Sequence, residues 1–206
     1  MNFNENSEIP KEYLGNMRSS DGCISNESRA MVIAMANALM SKDPSTQVGA
    51  CFVNSEGKIV SCGYNSPPNG WADEDFTWDK PDEEEYNKYT YIVHAEMNAI
   101  FNYGGSIKDF RNSTLYVTFL PCPHCAKHMV QAGVKDVVYL AENNSNIPAK
   151  LSTAISKFIL KKCNINYRKY DYEKDDNLKS IIFKMNSENE KDFSSIEKCK
   201  KYIKKK

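Results

Sequence analysis

Between Thr114 and Tyr170 short apolar runs alternate with helical stretches, and this alternation restricts the fold more than any other feature of the chain. "TLYVTF" (114–119) reads as a strand, and a helix begins inside "PCPHC" (121–125). "DVVYL" (136–140) is a second strand, a helix runs from about 149 to 162, and "INYRKY" supplies a strand at 166–170. The last three segments make a β-α-β unit. Its helix is long enough for a crossover, so strands 136–140 and 166–170 should run parallel.

The upstream half adds an antiparallel piece. "SRAMVIAMANALMSKD" (28–43) is rich in Ala and Met, has no interior Gly or Pro, and predicts a helix stopped at Asp43-Pro44. "QVGACFVN" and "KIVSCGYN" read as two strands joined by turn residues around Gly57, a β-hairpin. Residues 65–90 carry Pro67, Pro68, Gly70, Pro81 and an acidic run, which predicts a long surface insertion, either functional or a solvated flap. A helix over 94–103 follows. The fold class is therefore α/β, a mixed five-stranded sheet with helices on both faces.

With 206 residues the chain fits one domain, placed here at 26–171. Residues 1–25 are polar and aperiodic and predict a disordered or loosely docked arm. Residues 172–206 form a charged tail ending in "KKYIKKK", read as a weak helix or frayed end, with a targeting signal as the alternative. Lys+Arg and Asp+Glu are equal at 27 each, so no basic excess points to a nucleic-acid partner. No apolar run is long enough for a membrane span and the start lacks a signal-peptide pattern, which predicts a cytoplasmic protein without a membrane partner.

Chemistry concentrates in two places. Cys122 and Cys125 are the only close pair among seven cysteines, three apart in the first turn of a helix. There the unpaired N–H groups and the helix dipole favour thiolates. Two thiolates are half of a tetrahedral zinc site; taken alone they fit a redox pair or two core cysteines as well. His94, at the start of another helix after "YIV", can be a third ligand, or a core or capping histidine. Glu96 alone would be a first-turn glutamate serving the dipole. Together, H-x-E at one helix start and P-C-x-x-C at another form the pattern of zinc nucleobase deaminases.

Three protein ligands leave a fourth zinc position open for water. Zinc with two thiolates and a neutral imidazole is formally neutral, so a base is needed to take a proton from that water. Glu96 is the only acidic residue within the motif. His124 and His128 are weaker candidates for the metal: His124 should point elsewhere on its helix, and His128 is expected on the helix surface.

The stretches "SKDPSTQVGACFVN", "KIVSCGYN", "YIVHAEMNAI", "LYVTFLPCPHCAKHMVQAGVKDVVYL" and "INYRKY" together resemble the deoxycytidylate (dCMP) deaminase branch of the cytidine deaminase superfamily over residues 28–171. The resemblance implies a cytidine-deaminase-like three-layer sandwich and one Zn2+ per chain. It also implies hydrolysis of dCMP to dUMP and ammonia, feeding thymidylate synthesis. A homo-oligomer, often a hexamer, with dCTP and dTTP as effectors and Mg2+ accompanying a regulatory nucleotide, comes with the same resemblance. Asn65 would contact the sugar, the Ala95 carbonyl and the Cys122 N–H would fix the base edge, and Lys42, Ser45 and Thr46 are candidates for the phosphate. A plain helix-terminating turn explains "SKDPST" equally well. Ser66 stands where the family usually has Gly, so an altered nucleotide-binding turn is expected, and "AENNSN" replaces a segment that tends to carry a tyrosine near the substrate, so altered substrate closure, regulation or both are expected.

In the implied reaction Glu96 takes a proton from the attacking water, protonates N3 of cytosine and later the departing amine. Rival readings are a zinc deaminase of deoxycytidine, a tRNA base, a single-stranded DNA base or a pterin-like ring, and a catalytically silent zinc scaffold. Glu96 argues against the scaffold, because a structural zinc site needs neither an open position nor an acid.

Overall fold

The computed structural model describes residues 24–72, 75–79, 87–176 and 178. The predicted arm at 1–25 and the predicted tail beyond 172 lie largely outside these residues. Five strands form one sheet in the order β2-β1-β3-β4-β5. β1 (Gly49–Val53) and β2 (Ile59–Tyr64) make the expected hairpin, with Gly57 at φ 78° in its turn. β3 (Thr114–Phe119) runs antiparallel to β1 and parallel to β4 (Asp136–Ala141), and β5 (Asn166–Lys169) is parallel to β4. The mixed sheet and its parallel β-α-β end are as the sequence predicts.

Strand alternation splits the core in two. Ala50 and Phe52 of β1, Leu115 and Val117 of β3 and Val137 and Tyr139 of β4 face one side. There they pack with α3 (Ala95–Phe101), α4 (Pro123–Ala132) and Leu160 of α5 (Ile147–Lys162). Cys51, Val53, Val138 and Leu140 face the other side and pack on Ala30, Met31 and Ala34 of α1 (Asn26–Ala38). Every residue of β1 is buried, as a strand covered on both faces must be. The result is three layers. Leu178 is also buried in the α1 cluster, so packed structure continues beyond residue 171.

α1 ends at Ala38, five residues before the predicted stop at Asp43. Leu39, Met40 and Ser41 close it with N–H bonds to Ala36, Asn37 and Ala38, three residues back, which tightens the last turn. α2 (Lys88–Tyr91) is a single unpredicted turn capped by the Asn87 side chain. The insertion before it is not simply a solvated flap. Trp71, Phe76, Trp78 and Tyr91 stack edge-on in a chain of aromatic contacts, and Phe76 is buried.

Two close approaches place the helices. A Cβ at Gly49 would overlap the Ala34 carbonyl of α1, and a Cβ at Gly63 would overlap the Ala95 carbonyl and the Ala99 amide of α3. Gly63 therefore lets α3 sit directly on β2. Asn98 and Ser61 fasten it there: Asn98 Nδ2 donates to the Tyr64 carbonyl at 2.8 Å, and the Ser61 hydroxyl to the Ala99 carbonyl at 2.6 Å.

Candidate metal centre and cleft

The N-termini of α3 and α4 meet beyond the carboxyl end of β3. His94 is the N-cap residue of α3 and Cys122 that of α4, and neither side chain makes a capping hydrogen bond. This removes the capping histidine as an explanation of His94 and leaves both side chains for other work. Pro123 at the first position of α4 costs no hydrogen bond there. The loop before it is pinned by the Leu120 amide donating to the Ala141 carbonyl at 2.8 Å and by the buried Ser156 hydroxyl donating to the Pro121 carbonyl at 2.5 Å.

His94 Nδ1 lies 3.4 Å from the Sγ atoms of both Cys122 and Cys125, and the three donor atoms all fall within 4.8 Å of one another. A tetrahedral zinc ion with bonds of ~2.0–2.3 Å holds its ligand atoms ~3.4–3.8 Å apart, so this triangle fits one. The electrostatics agree. Donors on Cys125 and His94 hold the Cys122 thiol down to about 3, and the hydrogen bond to Cys122 raises His94 to about 9. Sharing with Cys122 and burial push the Cys125 thiol up. A thiolate held between two donors is a ready first ligand for a divalent cation, and the other two groups ligate by releasing protons.

Glu96 sits on the same turn of α3 and is 3% exposed. Burial pushes its carboxyl above the ordinary range, so it binds a proton more readily than a surface glutamate. His124 and His128 stay out of the cluster. Both are exposed, and His128 Nδ1 lies 2.7 Å from the His124 carbonyl, as a helix-surface role requires.

A cleft of about 240 Å³ opens over this centre, with His94, Ala95, Glu96 and Cys122 among its walls. These features coincide with a match to the family model for the cytidine and deoxycytidylate deaminase zinc-binding region over residues 24–141. The chain belongs to that family. It is 39% identical to the deoxycytidylate deaminase of Mus musculus over 141 residues, 68% of this chain and 76% of that one. It is 45% identical to the Homo sapiens deoxycytidylate deaminase over 113 residues, 54% of this chain and 62% of that one. Among solved structures, dCMP deaminase from the cyanophage S-TIM5 in complex with dCMP and dUMP is 27% identical, with a TM-score of 0.54 over 70% of this chain and 96% of that one.

The cleft gathers some of the predicted substrate residues and not others. Asn65, Thr46, Ala95 and Cys122 line it; Lys42 and Ser45 do not. Within "SKDPST" Asp43 turns inward and joins Thr46 in the cleft wall. It is 3% exposed, and its Oδ1 accepts the amides of Ser45 at 2.7 Å and Thr46 at 3.1 Å. Lys42 is on the outer side of this turn and exposed. Asn65 is 5% exposed and its amide is heavily used. Oδ1 accepts from the Val48 amide at 2.8 Å, and Nδ2 donates to the Thr46 carbonyl at 3.0 Å and to Asp43 Oδ2 at 3.3 Å. One Oδ1 lone pair remains for a sugar hydroxyl.

Sequence reasoning missed much of the remaining wall, including Tyr89, Ile92, Asn143, Ser152 and Thr153. Asn143 comes from "AENNSN", so that segment does reach the cleft. Ser66 falls outside the positive-φ positions and forms a two-residue bridge with Val93, their amides and carbonyls exchanging bonds of 3.1 and 2.9 Å. Glycine is not required there. The Ser66 hydroxyl adds an acceptor for Asn98 Nδ2 at 3.0 Å, tying this turn to the helix that carries Glu96.

Proposed function

We propose that this protein hydrolyses dCMP to dUMP and ammonia, with His94, Cys122 and Cys125 holding one zinc ion and Glu96 moving the protons. The observation that carries this reading is a buried carboxylate beside a His-Cys-Cys cluster on a cleft floor, in a family whose members include deoxycytidylate deaminases. When bound, zinc supplies a nucleophile at neutral pH by lowering the pKa of water in its open position. Glu96 accepts a proton as the water oxygen attacks C4 of the cytosine. It returns one proton to N3, and the next protonates the amine as the C4–N bond breaks, so water enters and ammonia leaves. Burial suits Glu96 to both roles, because a raised pKa brings it nearer the operating pH.

The carbonyl of Ala95 and the N–H of Cys122 address the base edge, and Asn65 Oδ1 the sugar. Thr46 is the member of "SKDPST" that serves the phosphate end. Assembly into a hexamer, regulation by dCTP and dTTP with Mg2+, and a place in the cytoplasm feeding thymidylate synthesis extend the same reading. No helix among the described residues is long and apolar enough to cross a membrane.

A panel of dCMP, CMP, deoxycytidine and dCTP, followed by absorbance, tests the substrate. A hydrogen bond to a charged group is worth about 1.5–3 kcal/mol. Two such contacts realised in the transition state make dCMP at least about a hundredfold better than deoxycytidine by kcat/KM. Equal turnover of the two would remove the monophosphate assignment and leave a general zinc deaminase.

A further inference from the structure

We infer that the buried Lys88–Asp43 ion pair makes the cleft selective for a ligand carrying a 5′-phosphate, by cancelling a wall carboxylate that would otherwise repel it. The inference rests on the deoxynucleotide reading above and assigns Lys88 as a positioning and specificity residue that does not itself line the cleft.

Asp43 and Glu96 are the two carboxylates among the described residues lining the cleft, and none of those lining residues is Lys or Arg. Without a compensating cation, a phosphate dianion entering this space would meet negative charge from the wall. Glu96 belongs to the metal end, where the base must lie. Asp43 lines the cleft and accepts hydrogen bonds from the Thr46 amide and the Asn65 side chain, the two residues that the deoxynucleotide reading assigns to phosphate and sugar. Lys88 reaches Asp43 from behind: its side chain is fully buried, and Nζ lies 2.5 Å from each carboxylate oxygen. A charge-assisted contact to both oxygens in a water-poor place makes the pair one neutral unit.

Lys88 is held to this task by its own surroundings. Its amide donates to the Asp79 carbonyl at 3.1 Å, and Nζ lies 5.7 Å from the Trp78 ring centroid and 5.2 Å from that of Tyr89. The aromatic insertion thus carries the cation to the cleft wall. Through Asp43 the same ammonium steadies the amides of Ser45 and Thr46 and the Asn65 side chain. A buried ion pair is seldom a better stabiliser than an apolar pair of the same volume, so its position on a phosphate path is better explained by charge than by stability.

The test is a charge ladder at fixed ligand chemistry. Full-length, zinc-loaded wild type, Lys88→Met, Asp43→Asn and Lys88→Met/Asp43→Asn carry pair charges of zero, minus one, plus one and zero. Calorimetry gives the Kd of dUMP and of deoxyuridine for each, and their ratio reports the phosphate alone. Lys88→Met is expected to cut the preference for dUMP about tenfold or more, and Asp43→Asn to raise it above wild type. The double variant should return it to within about threefold of wild type. If Lys88→Met does not fold, Asp43→Asn and the double variant still differ by one charge, and the double should show the lower ratio by about tenfold. A pair serving structure alone would weaken both ligands together and leave the ratio unchanged. A ratio unchanged across the variants, alongside a wild type that prefers dUMP, overturns this inference only. A wild type that binds deoxyuridine as tightly as dUMP overturns it together with the monophosphate reading.

Discussion

Glu96→Ala is expected to keep its zinc and its affinity for dUMP while losing turnover of dCMP by a factor of about a hundred to ten thousand, or more. The separation follows from geometry. The metal-positioned atoms belong to His94, Cys122 and Cys125, and Glu96 is not among them. Its side chain is buried on α3 in the wall of the same cleft, and burial raises its pKa, so in the proposed mechanism its removal takes away a proton carrier and not a ligand. Because one carboxyl would serve both the attack and the departure of ammonia in the proposed mechanism, the loss should fall on kcat more than on KM. Metal analysis and steady-state kinetics on the same preparation decide it. Near-normal turnover in a folded Glu96→Ala protein would remove Glu96 from the mechanism.

Cys122→Ala and Cys125→Ala are expected to act in the opposite order, losing the metal first and activity as a consequence. Either change leaves two of three donors, and His94 Nδ1 then faces a single sulfur. Zinc should fall from about one per chain toward zero on dialysis, with apparent stability lowered by about 3 kcal/mol or more, since a ligand bound only by the native state stabilises it. Cys125→Ala should be the more destabilising of the two. Cys125 is 1% exposed against the α4 core, whereas Cys122 is half-buried at the cleft. Differential scanning calorimetry beside metal content reads both effects. Full zinc occupancy in the double cysteine variant would mean that the metal is held elsewhere.

The parts of this molecule legible in the sequence are those with a period or a fixed spacing. The strands at 114–119 and 136–140 and the crossover helix announced themselves by apolar alternation and length, and the parallel pairing of β4 and β5 followed. The gathering of His94, Cys122 and Cys125, with Glu96 buried beside them, was legible because metal chemistry restricts both residue type and distance from a helix start. Local features without a period were not. α2 is only four residues long, too short for an amphipathic pattern, and the early end of α1 depends on three turn bonds rather than on a breaker residue. In "SKDPST" the sequence points to Lys42, Ser45 and Thr46 as phosphate candidates, whereas the fold brings only Thr46 of these to the cleft and buries Asp43 beside it. That choice is set by Lys88, 45 residues away, and no local pattern records a contact of that kind.

Zinc-dependent release of ammonia from dCMP is the most direct measurement. The purified protein is incubated with dCMP, and ammonia and dUMP are quantified before chelation, after chelation and dialysis, and after zinc alone is returned. Equal amounts of the two products are expected, falling together on chelation and recovering together with about one zinc per chain. Undiminished dUMP formation in protein shown to be free of metal, or no dUMP from protein carrying a full complement of zinc, would contradict a zinc-dependent dCMP deaminase built on His94, Glu96, Cys122 and Cys125.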